Sequence, residues 1–328
     1  MSNKILVTGG TGFTGSHLCE RLIKDGHQVR TIARKPETAA HLTRLGVEII
    51  PGDIQDFDTA LKATANVEKV YHIAALYRRE GVPRRMFWDV NVTGTENLLK
   101  ASLANGVARF IHCSTVGVHG GIKQPPANED TPYGPGDHYQ ESKAEGEKIA
   151  LRFMREKQIE VTVFRPAPIY GPGDLRFLKL FKAIHNRRFW MIGSGNVFYH
   201  LIYIDDLIDG ILLCGTDNGS VGRIYIIGGN EYVTLNTLVT LIAQALAVRP
   251  PDRRIPLWPV YALGYACELT CRPFGIDPPL YKRRVDFFTK NRAFDISKAK
   301  RELGFAPKTD LKTGIGLTAE WYQKEGLL

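Results

Sequence analysis

The chain has 328 residues, of which 44% are hydrophobic, and its formal net charge is +9. This is enough for one large domain, or for one domain with a smaller lobe. No apolar run approaches the roughly 18 residues of a membrane span, and the N-terminus enters a strand at once, so we expect no signal peptide and a cytoplasmic protein. A solvated surface, or attraction of an anionic cofactor or membrane, explains the charge better than nucleic acid, for which no motif is present.

The first predicted element is a buried strand that leads into a glycine-rich turn. Residues 5–7 form an apolar run, residues 9–15 carry glycines at three-residue spacing, and residues 16–24 have the apolar pattern of a helix. A strand, a glycine turn and a helix in this order are typical of a dinucleotide site, in which the phosphates lie at the helix N-terminus. The expected contacts in this turn are Gly9, Gly12, Phe13, Thr14 and Gly15.

Apolar strands and helices alternate through the first half of the chain. Further strands are expected at 28–33, 47–51, 69–74, 109–114 and 161–165, with long helices at 87–105 and 139–157. Such alternation predicts an α/β Rossmann fold, a doubly wound parallel sheet with helices on both faces. We expect residues 1–165 to form this domain, with returning segments near 200–228. Residues 166–328 should form mainly a smaller C-terminal substrate-binding lobe.

Two cations end the second predicted strand, where an NAD-selective enzyme usually has an acidic residue for the ribose hydroxyls. Arg34 can make a bidentate contact with a 2′-phosphate, and Lys35 adds a second positive charge. The pair favours NADP, with NAD as the alternative, although two exposed charges at the start of a loop are also common. The cofactor contacts expected after the third and fourth strands are Asp53, Ile54, Ala74 and Ala75.

Hydroxyl side chains end the fifth predicted strand, at the edge where open parallel sheets bind ligands. Downstream, Tyr139 and Lys143 are four residues apart and share a helix face. A lysine one turn away, together with a cationic nicotinamide ring, stabilises a phenolate. Tyr139 can then take a proton from an alcohol as hydride leaves, or give one to a ketone. We expect Thr115 or Ser114 to hold the reacting oxygen.

Several short motifs extend this pattern along the chain. They are Gly9-x-x-Gly12-x-x-Gly15, Asp53, Asn91-Val92-x-Gly94-Thr95, Ser114-Thr115, Tyr139-x-x-x-Lys143, Arg165-Pro166, Tyr170-Gly171-Pro172, Tyr203-Ile204-Asp205-Asp206 and Phe294-Asp295-Ile296. With them the chain resembles the extended short-chain dehydrogenase/reductase family, which includes NAD-dependent epimerases and dehydratases. The resemblance puts the catalytic hydroxyl on Thr115 and leaves Ser114 as the second candidate. It implies three more cofactor contacts, namely Asn91, Pro166 and Ile169.

Two positions bear on the branch of that family. Nucleotide-sugar epimerases and dehydratases often carry an Asn where Pro168 stands and an Arg where Tyr199 stands. Arg165-Pro166 and the strand at 29–34 are more similar to hydroxysteroid dehydrogenases and dihydroflavonol reductases. We therefore expect hydride transfer to or from a secondary alcohol or ketone of a bulky apolar, sterol-like substrate. A nucleotide-sugar epimerase or dehydratase with the same triad and a non-catalytic NADP-binding regulator are the alternatives.

A proline-bounded apolar segment at 256–271 is similar to one in 3-beta-hydroxysteroid and sterol dehydrogenases. It is interpreted as a substrate lid, as core of the lobe, or as a patch for peripheral membrane contact. Asp205-Asp206 is expected to cap a helix at 207–213 rather than to bind a metal, and no metal site is expected. The expected partners are a small-molecule substrate and a second copy of the chain in a homodimer, without nucleic acid.

Overall fold

A seven-stranded sheet, parallel throughout, organises the computed structural model, which describes residues 4–78, 81–156, 158–260, 262 and 282–328. The strands are β1 (Lys4–Thr8), β2 (Gln28–Ala33), β3 (Glu48–Pro51), β4 (Lys69–His72), β5 (Arg109–Cys113), β6 (Glu160–Pro166), β7 (Ile169–Tyr170), β8 (Met191–Ile192), β9 (Phe198–His200), β10 (Ile202–Tyr203), β11 (Ile224–Ile227), β12 (Tyr232–Thr234) and β13 (Arg254–Ile255). The central sheet has the order β11-β6-β5-β4-β1-β2-β3. The order reverses between β1 and β4, so the expected ligand site lies at the carboxyl ends of these two strands.

Helices cover both faces of the sheet, so the doubly wound Rossmann fold predicted from the alternating pattern is confirmed. They are α1 (Phe13–Lys24), α2 (Ala40–Arg44), α3 (Phe57–Thr64), α4 (Arg84–Trp88), α5 (Gly94–Ala104), α6 (His138–Arg155), α7 (Leu178–His185), α8 (Ile204–Thr216), α9 (Leu235–Ala245), α10 (Lys282–Thr289), α11 (Ser297–Leu303) and α12 (Leu311–Lys324). α1 and α8 share one apolar cluster, and α3, α5 and α6 share the other. The sheet and these helices therefore form three layers.

The buried strand β1 shows how this layering follows from sequence. Ile5 and Val7 pack into the cluster that contains α1, whereas Leu6 packs into the cluster on the opposite face. Successive side chains of a strand point to opposite faces, so a strand covered on both sides must be apolar at every position.

Short strand pairs lie outside the central sheet, and they come from the second half of the chain. β7 pairs with β10, β8 with β13, and β9 with β12. β11 instead joins the central sheet as its edge strand beside β6. Residues 224–227 thus return to the sheet after the chain has left it.

The long helix predicted at 87–105 is wrong in detail, because the structure has two helices joined by a π-helical turn at Asp89–Thr93. Asn91 within that turn is 1% exposed. Its carboxamide accepts the Leu76 N–H at 2.7 Å and donates to the Leu76 carbonyl at 3.2 Å. The wider turn lets this side chain reach a neighbouring loop, a long-range demand that helical periodicity does not reveal.

The predicted cap at Asp205-Asp206 is also wrong. α8 begins at Ile204, so both aspartates lie within its first turn, and Tyr203 is the N-cap residue. The Asp206 carboxylate instead accepts the backbone N–H groups of Lys308 and Thr309, at 2.8 and 2.9 Å. This acid therefore fastens a distant C-terminal loop to the start of the helix.

Most of the apolar segment at 256–271 lies outside the described residues, which include only 256–260 and 262 of it. Trp258 in the described part is 74% exposed. None of the described helices has the length and apolar character needed to cross a membrane.

Candidate active site

A cavity of about 880 Å³ opens where the carboxyl ends of β1, β4, β5 and β6 meet. The predicted cofactor contacts that line it are Gly9, Gly12, Phe13, Thr14, Gly15, Arg34, Asp53, Ile54, Ala74, Ala75, Pro166 and Ile169. The predicted catalytic residues Ser114, Thr115, Tyr139 and Lys143 line it as well. Two predicted contacts, Lys35 and Asn91, do not line it.

The glycine turn leaves no space for side chains on the floor of the cavity. Gly9 has a φ of +75°, a conformation that other residues rarely adopt. A Cβ on Gly15 would lie 2.1 Å from the Gly9 carbonyl oxygen, and one on Gly9 would lie 2.9 Å from the Ala74 backbone nitrogen. Helix α1 starts directly after Gly12, and no described side chain caps it. The turn therefore fits a pyrophosphate, which the uncapped N–H groups of the helix can bind.

The side chains at the far end of the cavity suit an adenosine group. Arg34 lines the cavity and forms no ion pair within 4 Å with any carboxylate in the described part of the chain. The Asp53 carboxylate accepts the Gln55 N–H at 3.1 Å and its side-chain amide at 3.2 Å, which fixes the turn after β3. Lys35 is exposed outside the cavity. The guanidinium of Arg34 is thus available for a phosphate, and Lys35 contributes only charge.

Asn91 supports the cavity wall from behind. Besides its two bonds with Leu76, it donates to Ser142 Oγ at 2.9 Å. Ser142 belongs to α6, the helix that carries Tyr139 and Lys143. The side chain of Asn91 therefore connects the loop after β4, which includes Ala74 and Ala75, to this helix.

The side chains of Tyr139 and Thr115 both line the cavity, and the Thr115 side chain favours the ionised form of Tyr139. Thr115 Oγ1 also accepts the Gly117 N–H at 3.0 Å, which holds the turn that follows β5. Lys143, one helical turn beyond Tyr139, donates from Nζ to the Cys113 carbonyl at 2.5 Å. These three side chains, from a strand end and a helix face, line one cavity.

Burial governs the ionisation of this group. It raises the pKa of Tyr139, and the Arg78 charge and the Thr115 hydrogen bond oppose the rise only in part. Burial also lowers the pKa of Lys143, against the attraction of the neighbouring Cys113 and Glu147. A cation placed beside the phenol would lower its pKa, because it stabilises the charged form.

Ser114 is directed away from Tyr139. Its hydroxyl donates to the Glu147 carboxylate, which is buried behind the strand end. Of the two hydroxyls left open by the sequence, that of Thr115 acts on the ionisation of Tyr139, whereas that of Ser114 is bonded to Glu147.

His119, which stands where the resembled family usually has tyrosine, is also held behind the cavity. Its Nε2 lies 3.0 Å from Arg165 Nη1 and its Nδ1 lies 3.3 Å from the Pro132 carbonyl. Because an arginine N–H can only donate, Nε2 accepts and Nδ1 carries the proton. Burial lowers the pKa of His119, consistent with this neutral form.

Sequence reasoning missed a cation in the cavity wall. Arg292 lines the cavity, and its guanidinium lies 5.0 Å from the centre of the Tyr199 ring. It donates to the Tyr199 hydroxyl at 2.8 Å. Tyr199 stands where sugar-nucleotide enzymes of this family often have an arginine, and here Arg292, 93 residues away in sequence, lies against it. A contact between such distant residues cannot be predicted from a local sequence pattern.

A doubly wound sheet with a pyrophosphate turn and a tyrosine–lysine pair at its switch point defines a nicotinamide-dependent enzyme class. Residues 5–228 match the NAD dependent epimerase/dehydratase family, and the chain belongs to it. The family predicted from the motifs is thereby confirmed, and the protein is an enzyme of this nicotinamide-dependent family.

Named relatives at modest identity divide between two kinds of chemistry. The 3beta-hydroxysteroid-dehydrogenase/decarboxylase isoform 1 of Arabidopsis thaliana is 30% identical, over 96% of this chain and 78% of the relative. The N-acetyl-alpha-D-glucosaminyl-diphospho-ditrans,octacis-undecaprenol 4-epimerase of Escherichia coli O157:H7 is 27% identical, over 98% of this chain and 96% of the relative. The crystal structure of gox2253 is similar with a TM-score of 0.85 and 29% identity, over 100% of both chains.

Proposed function

We propose that the protein is an NADP-dependent dehydrogenase or reductase that interconverts a secondary alcohol and a ketone on a bulky apolar substrate. The observation that carries this proposal is that Tyr139 and Thr115 line the same cavity, with Lys143 one helical turn beyond Tyr139. A phenol that shares a cavity with a hydroxyl and an ammonium group is suited to general acid–base catalysis.

Each of these side chains has a role at the reacting oxygen. Tyr139 gives its proton to the carbonyl oxygen during reduction, or receives the hydroxyl proton during oxidation. Thr115 makes a hydrogen bond to the same oxygen and orients it. Lys143 stabilises the phenolate, since a nearby cation favours the charged form. The bound cofactor supplies or accepts the hydride and, when oxidised, adds a positive ring to the site.

The choice of NADP follows from Arg34. Its guanidinium lines the cavity without an ion-pair partner among the described carboxylates, at the end of β2 where an NAD-selective enzyme has an acid. An unpaired arginine binds a phosphate bidentately at little cost in broken contacts.

The apolar substrate class rests on the outer wall of the cavity. Tyr77 and Leu175 line it and are 49% and 59% exposed, so both can contact an apolar substrate. Pro168 adds an apolar surface where a sugar-binding enzyme of this family often has an amide. The hydroxysteroid dehydrogenase from Arabidopsis thaliana supports the same class.

A nucleotide-sugar epimerase or dehydratase is the second candidate, and Arg292 is the observation that favours it. A guanidinium in the wall, supported by Tyr199, can bind a diphosphate. The epimerase from Escherichia coli O157:H7 is a relative of that kind. The two candidates share the acid–base group and differ in the outer wall.

The test compares two substrate sets with NADP⁺ and NAD⁺. A 3β-hydroxysteroid should produce reduced nicotinamide absorbance, whereas UDP- and dTDP-sugars should bind only above roughly a millimolar. Calorimetry that shows micromolar binding of a nucleotide sugar would favour the second candidate.

Variants of two tyrosines test the chemistry itself. Tyr139→Phe should lower turnover by roughly 100- to 10,000-fold, because it removes the proton carrier, while cofactor affinity stays nearly the same. Tyr232→Phe is the matched control, since Tyr232 is partly exposed outside the cavity. Full activity in Tyr139→Phe would refute the proposed mechanism.

A further inference from the structure

A fully buried ion pair lies directly behind the proposed catalytic group. The side chains of Arg165 and Glu147 are 2% and 0% exposed, and Nη2 of the arginine lies 2.5 Å from Oε1 of the glutamate. Glu147 is on α6, one turn beyond Lys143, and Arg165 is in β6, next to β5, the strand that leads into Thr115. The pair therefore joins the two elements that carry the site.

Every N–H group of Arg165 has an acceptor. Nε and Nη2 donate to the two carboxylate oxygens of Glu147 at 3.1 and 2.5 Å, and Nη2 also donates to the Tyr133 hydroxyl at 3.3 Å. Nη1 donates to His119 Nε2 at 3.0 Å and to the Glu129 carbonyl at 2.9 Å. An arginine has five such groups, so its whole donor set is used.

Glu147 is equally saturated. Besides its two bonds from Arg165, it accepts the Tyr133 hydroxyl at 2.8 Å and the Ser114 hydroxyl. The Ser114 N–H in turn donates to the Phe164 carbonyl at 2.8 Å. Ser114 is thus fixed at its side chain and its backbone, immediately before Thr115.

We propose that the Arg165–Glu147 pair is a positioning device for the proposed reaction, holding Thr115 and Tyr139 at the mutual geometry that proton transfer requires. The inference rests on the proposed function, since it assigns no chemistry of its own to either residue. Neither side chain contacts the reacting atoms, so both act through the residues they hold.

Stability alone does not account for this arrangement. A buried ion pair loses so much hydration that apolar side chains of similar volume often replace it without loss of stability. Apolar side chains fill space, but they make no directional bonds that could hold separate chain segments in one relative orientation. The hydrogen bonds of the ion pair do hold them in this way. Catalysis depends on that orientation, because a misplacement of about 1 Å can cost roughly 100-fold in rate.

The test separates stability from geometry. The double variant Glu147→Leu with Arg165→Met removes both charges and keeps comparable volume, so it should stay folded. We expect its kcat to fall by about 100-fold, while the dissociation constant for NADPH, measured by fluorescence, changes little. Glu147→Gln should also lower kcat while leaving the dissociation constant for NADPH nearly unchanged. If the double variant does not fold, this single variant tests the positioning role.

Arg109→Met is the matched control. Arg109 is another nearly buried arginine, 5% exposed, with hydrogen bonds to the Asp217 carbonyl and Ser220 Oγ at 2.6 Å. It is the first residue of β5, at the amino-terminal end of the strand, whereas the cavity lies at the carboxyl end. This variant should lose thermal stability and keep the kcat of the folded fraction.

Crystal structures provide a readout that needs no substrate. Thr115 Oγ1 or Tyr139 Oη should move by more than about 0.5 Å in the Glu147 variants, beyond the tolerance of a catalytic geometry. Unchanged positions together with unchanged kcat would overturn the inference. Full activity in Glu147→Gln with inactive Tyr139→Phe would overturn it and leave the proposed function intact. Activity in Tyr139→Phe would overturn the proposed function, and the crystal comparison would still decide the positioning role.

Discussion

Ser114 and Thr115 are neighbours with two different tasks, and alanine substitutions can separate them. The Ser114 hydroxyl donates to the buried Glu147 carboxylate, whereas the Thr115 side chain lines the cavity together with Tyr139. We predict that Ser114→Ala mainly lowers stability and that Thr115→Ala mainly lowers turnover.

The sizes follow from the partners. A hydrogen bond to a charged group contributes about 1.5–3 kcal/mol, so Ser114→Ala should lower the free energy of unfolding by that amount. Glu147 keeps its bonds from Arg165 and Tyr133, so the kcat of this variant should fall by less than about tenfold. Thr115→Ala loses a group that stabilises the reacting oxygen, which typically costs about 100- to 1,000-fold in kcat. In Thr115→Ala the Gly117 N–H also loses its acceptor, which should lower the free energy of unfolding by about 1 kcal/mol.

The assay pairs urea unfolding with steady-state kinetics on the same preparations, and cofactor titration checks that binding is intact. Ser114→Thr is a useful third variant, since it keeps the hydroxyl. The reverse pattern, an inactive but stable Ser114→Ala beside a fully active Thr115→Ala, would refute the assignment of the catalytic hydroxyl to Thr115.

Three further predictions follow from other parts of the structure. Arg34→Asp should weaken NADPH binding, measured by fluorescence titration, by roughly 10- to 150-fold, because a charged contact is lost. Equal affinity of the unmodified protein for NADH and NADPH would contradict this role of Arg34. Gly15→Ala places a Cβ 2.1 Å from a backbone oxygen of the glycine turn, so it should cost about 1–3 kcal/mol of stability and weaken NADPH binding; a variant with unchanged affinity would argue against the pyrophosphate site. Burial raises the pKa of Asp209, but hydrogen bonds from Lys308 and Arg21 outweigh it and leave that pKa below its usual value. This stability is present above the unfolded pKa and is lost as the pH falls through the folded pKa, so Asp209→Asn should flatten the loss of Tm between about pH 5 and pH 3; parallel curves for the two proteins would show that the contacts contribute nothing.

Local sequence patterns predicted the sheet, the glycine turn and the tyrosine–lysine pair because each depends on near neighbours. The run at 5–7 is apolar at every position, which a strand covered on both faces requires. Tyr139 and Lys143 are one helical turn apart, so helix geometry alone puts them on one face. The prediction of the turn needed only the φ preference of glycine and the close approach of Gly15 to Gly9.

Contacts between distant segments lay beyond such patterns. Arg292 reaches the cavity only because its segment runs beside β9, where it bridges to Tyr199. Asn91 looks like a cofactor contact in its motif, yet its carboxamide is taken up by Leu76 and Ser142. Residue type alone does not separate Ser114 from Thr115. The family resemblance favoured Thr115, and the bond from Ser114 to the buried Glu147 is the structural difference between the two.

The π-helical turn at 89–93 has a consequence for protein engineering and for alignment of related chains. Removing one residue there would allow an ordinary α-helix, and a score based on helical regularity would rate the shortened chain higher. The deletion would also rotate the side chains on one side of the turn by about 100° relative to the other. Asn91 would then face away from Leu76, and the loop after β4 would lose its connection to the helix of Tyr139. A gap placed here in an alignment therefore marks the loss of this connection rather than a neutral difference in helix length.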